Sequence, residues 1–132
     1  MSSANPGLAY EDTPPLSAPL RFFLTAPVFG LIAGLVLIFD GELLGSRWTP
    51  GALAVVHLIA AGFMLQVMLG ALLQILPVVA GAAFPAPLRV AGVTHVLLGL
   101  GAASLAFGLG DGAPLAIVSG GVLLASGLCV FL

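Results

Sequence analysis

Apolar residues run along this chain in four long blocks, at positions 20–39, 52–79, 90–109 and 115–132, with short stretches of glycine, proline and charge between them. An α-helix needs about 20 apolar residues to cross ~30 Å of hydrocarbon, and each block meets that length. The pattern predicts four transmembrane helices. The connections are DGELLGSRWTP at 40–50, GAAFPAPLR at 81–89 and GDGAP at 110–114. Pro50 suits the first turn of the second helix, and Pro77 with Gly81 predicts a break near 76. At ~1.5 Å per residue the second block exceeds the hydrocarbon thickness, so that helix is expected to tilt or to extend past the interface.

Within the first block Pro27 removes one backbone donor, and Gly30 and Gly34, four apart, form a small-xxx-small pair suited to close helix approach. Ahead of it, residues 1–19 carry Ser, Asn, Gly, four prolines and the pair Glu11 and Asp12. They read as a flexible, solvated tail, with 20–132 as the transmembrane domain. Arg21 directly abuts a run of spanning length rather than the shorter core of a signal peptide.

Composition removes the alternative of a water-soluble domain: 61% of the 132 residues are hydrophobic and 6% charged, with a mean hydropathy of +1.26. The fold class is therefore an all-α integral membrane protein, a four-helix transmembrane bundle surrounded by lipid. A net charge of −2 with three basic residues leaves no basic stripe for nucleic acid. Four crossings put both termini on one side. Arg21 and Arg89 fall on that side and Arg47 on the other, which favours cytoplasmic termini in a bacterial inner membrane. Trp48 suits an interfacial belt. The single Cys129 lies in an apolar run and reads as a small packed side chain.

Against this background the polar residues within the spans stand out, because an unpartnered imidazole or amide in hydrocarbon costs several kcal/mol. On a helical projection His57 shares a face with Ala60, Ala61, Met64, Met68, Ala71 and Ile75. Two alanines beside an imidazole leave room for a flat macrocycle, and methionine packs adaptably. That surface suits a haem ligand, and it equally suits an interhelical hydrogen bond. A Cu(I) site of His57 with Met64 and Met68 is disfavoured, since Met64 lies ~10 Å along the axis from the histidine. Gln66, roughly opposite His57, is expected to bond to neighbouring helices or backbone, and Gln74 to reach interfacial water. His95 lies on a smooth strip with Gly92, Gly99, Ala102 and Ala106. Antiparallel spans separate the two histidines by ~15 to 20 Å along the membrane normal. A single haem clamped by both is therefore not expected, and His95 reads foremost as an interhelical hydrogen-bond partner, with metal ligation its lesser role.

The run from His57 through GALLQILPVVAG to GAAFPAPLR resembles helices two and three of the catalytic subunit of haem-copper oxidases and nitric oxide reductases. The first span, PLRFFLTAPVFGLIAGLVLIF, is similar to small relatives that include the haem- and copper-containing NnrS proteins. In that family a helix-two histidine ligates a low-spin haem, a role the resemblance gives to His57. The family's copper ligands, high-spin haem ligand and cross-linked tyrosine have no counterparts; the only tyrosine is Tyr10. The oxidase subunit resembles three four-helix units around a pseudo-threefold axis, which implies that a single unit self-associates as a dimer or trimer.

Residues and resemblance together give the expectation of a small membrane cytochrome of the b type. His57 is its axial ligand, Ala60, Ala61 and Met64 line the haem, and Arg47 is placed to pair with a propionate or to anchor at the interface. A homo-oligomer, dimer or trimer, holds the haem between subunits, and a quinol or another redox partner is expected to exchange electrons with it. The competing expectations are a haem-free membrane assembly protein and a five-coordinate haem sensor or enzyme for a diatomic gas.

Overall fold

The structure is a computed structural model that describes residues 13–132. Most of the tail expected at 1–19, Tyr10 included, lies outside the described residues. Four helices follow: α1 (Ser17–Phe39), α2 (Pro50–Ala80), α3 (Pro87–Asp111) and α4 (Pro114–Phe131), and each is long and apolar enough to cross a membrane. The described residues form no strand.

Each helix boundary has a local cause. After α1, a 3-10 turn at Gly41–Gly45 leads into Thr49, whose hydroxyl caps α2 by accepting from the Ala52 amide at 3.2 Å, with Pro50 behind it in the first turn. The same hydroxyl donates to the carbonyl of Leu43 and ties the turn to the helix start. Gly81 ends α2 at φ 61° and Gly112 ends α3 at φ 70°, the left-handed conformation that glycine enters without a Cβ penalty. Proline also opens α3 at Pro87 and α4 at Pro114.

In α2 the structure departs from the expected helix in two places. The helix does not break near 76 but continues through Pro77, which is buried inside it, to Ala80. A proline in a membrane helix is tolerated where neighbouring helices surround it. In addition, Leu58–Met64 forms a π-helical segment in which the Leu65 amide bonds to the Ala60 carbonyl. This wider turn changes the angular register of everything after His57.

Helix packing relies on glycines that let backbones approach closely and on aromatic rings set against them. On α1, Phe22 and Phe29 are buried against Gly70 and Gly62 of α2. The most closely packed pair is the α3–α4 hairpin. There a Cβ on Gly120 would stand 2.5 Å from the Leu105 amide nitrogen, and one on Gly108 would stand 2.6 Å from that of Ile117. Ser104 donates across the hairpin to the Ala116 carbonyl at 2.9 Å.

The glycine pair of α1 has another fate. Gly30 meets only the Phe63 ring, 3.5 Å from a Cβ position, and nothing lies within 4 Å of Gly34. Within this chain the pair thus meets a side chain of α2 at Gly30 and no neighbour at Gly34. Cys129, expected to be packed, is exposed on the outer face of α4. The remaining outer surface is apolar, including Leu24, Leu31, Val56, Met68, Leu100 and Val118.

Candidate functional site

His57 ends the α-helical opening of α2 and immediately precedes the π segment. Its Nδ1 lies 2.7 Å from the carbonyl oxygen of Leu53, one turn earlier. A carbonyl only accepts, so Nδ1 carries the proton and donates it, and Nε2 holds the lone pair. The ring is half-buried, and among the described residues no protein group bonds Nε2. A backbone bond of this kind fixes tautomer and ring orientation, as it does in imidazoles that ligate a metal.

Around His57 the predicted lining residues differ in exposure. Ala60 is exposed, Ala61 is half-buried, and Met64 is 52% exposed, with Met68 and Ile75 further along. Ala71 is half-buried. Ala60, Met64, Met68 and Ile75 are thus exposed, whereas Ala61 packs against the core cluster that holds Phe29 and Ala33. Arg47 lies near the start of α2 with its guanidinium carbon 5.2 Å from the centre of the Trp48 ring, a cation–π arrangement on an exposed connection.

His95 belongs to a different environment. Its Nε2 is 2.7 Å from the Thr25 hydroxyl of α1, and the Phe22 ring stands edge-on to it at 5.4 Å and 83°. Its role as an interhelical hydrogen-bond partner is therefore visible, while the sequence had no strong signal that singled out Thr25. Depth separates the histidines. A Cβ on Gly110 would be 3.4 Å from that of Ala54, so the end of α3 adjoins the start of α2. Counting helical rise from that contact, His57 and His95 lie ~18 Å apart along the axis.

Gln66 differs from its expected role. It is 0% exposed, yet neither its amide oxygen nor its nitrogen has a partner among the described residues, and the Thr94 hydroxyl, also 0% exposed, has none either. Gln74 keeps its amide nitrogen buried and unpartnered. No group of three or more His, Cys, Asp or Glu able to hold a bare metal ion occurs among the described residues.

Compared with protein families, curated proteins and solved structures, the chain finds no match in any of the three.

Proposed function

We propose that this chain is a small b-type haem protein that carries electrons within the membrane, with His57 as an axial ligand and the haem held between subunits of a homo-oligomer. One observation carries the reading: the Leu53 carbonyl holds Nδ1 as the donor, so the Nε2 lone pair is without a protein partner among the described residues, on a helix where Ala60 is exposed. That is the donor atom and the clearance a haem edge requires. The likeness of the His57–Pro77 stretch to helix two of the haem-copper oxidases supports the same assignment.

In this reading the chain's own residues bind and orient. Leu53 fixes the imidazole plane, Ala60 and Ala61 leave room beside it, and Met64 supplies adaptable apolar cover. Arg47, at the same end of α2, pairs with a propionate. Bound haem supplies a one-electron couple whose potential the axial ligand and the dry surround set. Because His95 lies ~18 Å away in depth, a second axial ligand comes from another protomer. The oligomer is a dimer or trimer in the inner membrane with cytoplasmic termini, and a quinol is its exchange partner.

The test is an optical spectrum, oxidised and dithionite-reduced, of detergent-purified protein beside His57→Ala and His95→Ala. Low-spin b-type bands that disappear only with His57→Ala are the expected result. Absence of a Soret band in cells amply supplied with haem would overturn the proposal in favour of a haem-free assembly protein. Loss in both variants would refute the single-ligand geometry. Carbon monoxide binding to the reduced wild type would show an open coordination site and favour the gas-sensing reading.

A further inference from the structure

Three contacts align along one face of α3, at Gly92, His95 and Gly99, which fall at helical positions i, i+3 and i+7. Over Gly92 lies the guanidinium of Arg21, whose Nη1 is 3.0 Å from the position a Cβ would take. One turn deeper, Thr25 bonds His95 at 2.7 Å. Another turn deeper, the Gln66 amide nitrogen lies 3.9 Å from the Cβ position of Gly99. α1, α2 and α3 thus each contribute polar groups to one column. From the start of α3 at Pro87 to Gly99 the column descends ~18 Å, past the middle of a ~30 Å core.

Gln66 is the informative end of this column. Both atoms of its amide are buried without a partner, as is the hydroxyl of Thr94 on α3. A buried amide with no hydrogen bond costs several kcal/mol, and buried polar groups of this kind are ordinarily satisfied by internal water. At the outer end, Arg21 donates from Nε to the Ser17 carbonyl at 3.1 Å, and its other N–H donors have no partner among the described residues. Gly92 and Gly99 carry no side chain of their own, and at these two levels the Arg21 guanidinium and the Gln66 amide lie against α3.

We propose that Arg21, Thr25, His95 and Gln66 line a water-filled half-channel that opens on the terminal side of the membrane and closes at Gln66. It brings water and exchangeable protons to the middle of the bilayer, with His95 as its one imidazole. The charge that faces His95 is Arg21 on α1; α2 presents the neutral Gln66. Of the described carboxylates, Asp40, Glu42 and Asp111 are exposed and lie towards the opposite side, while Glu11 and Asp12 lie outside the described residues. A fixed guanidinium at the opening admits water while repelling metal cations. This function is independent of haem at His57.

Deuterium exchange of side-chain protons, read by solid-state NMR on full-length protein in lipid bilayers, tests it. The chain has two glutamines and two histidines, so Gln74→Leu and His57→Ala assign the signals. The Gln66 amide and the His95 ring are expected to exchange at least about a hundredfold faster than the backbone amide of Leu73, which is buried in the same core. Gly99→Val is expected to slow Gln66 about tenfold and leave His95 unchanged, whereas Gly92→Val slows both. Protection of the wild-type Gln66 amide equal to that of Leu73 would overturn the proposal without recourse to any variant. Equal slowing of both side chains by Gly99→Val would overturn the order of the column.

Discussion

The ring of Phe29 lies against the bare backbone of Gly62, so closely that a Cβ on the glycine would collide with it. Seven residues earlier on α1, Phe22 repeats the contact with Gly70, where a Cβ would sit 3.0 Å from that of the phenylalanine. These two pairs set the distance between α1 and α2. Gly62→Ala is expected to destabilise the protein by about 1–3 kcal/mol through overpacking. Gly70→Ala should cost less, and Gly34→Ala, in open space, about nothing. Chemical unfolding in mixed micelles checks the order, and equal losses at Gly62 and Gly34 would refute it.

The α3–α4 hairpin provides a comparison between adjacent residues. A Cβ on Gly120 would press on the Leu105 backbone, while Gly121 has nothing within 4 Å. Backbone yields less readily than a side chain, so Gly120→Ala should cost more than about 2 kcal/mol and Gly121→Ala less than about 0.5. Thermal unfolding in one detergent distinguishes them.

Thr25 and His95 should prove energetically coupled. A double-mutant cycle with Thr25→Val and His95→Phe is expected to return about 0.5 to 1.5 kcal/mol, the range for an interhelical hydrogen bond in a membrane. Additive losses would mean that the 2.7 Å contact does not form in the bilayer.

Room beside His57 is a requirement of the haem proposal that stability does not share. Because Ala60 is exposed, Ala60→Leu should change stability by less than about 0.5 kcal/mol. It should nevertheless lower haem occupancy substantially, as read from the ratio of Soret to protein absorbance. Full occupancy in that variant would place the macrocycle elsewhere.

The four spans were legible in the sequence because crossing a bilayer demands apolar length, and no other pattern competed for those residues. The shared face drawn from His57 through Ala60, Ala61 and Met64 assumed a regular helix, which the π segment interrupts. Less readable was anything decided by neighbours. A helical projection cannot register the π segment at Leu58–Met64, which depends on how Gly62 meets α1. Pro77 signalled a break that packing against other helices overrode. Gly30 and Gly34 carry the familiar small-residue spacing, yet the tight approaches use Gly62 and Gly70, whose partners are the phenylalanines of another helix. Gln66 was expected to find a bond, because sequence reveals a polar group but not the geometry around it.

The π segment also makes α2 a helix with two phases. Residues up to His57 and residues from Leu65 onward follow separate angular counts, offset by the extra backbone taken up in the wide turn. His57 is half-buried and Gln66 fully buried, one on each side of the wide turn. Removing one residue from Leu58–Met64 would merge the two counts and swing one half of the helix by about 100° against the other. Insertion or deletion within Leu58–Met64 is therefore the change that most directly alters how the two halves of this helix face their neighbours.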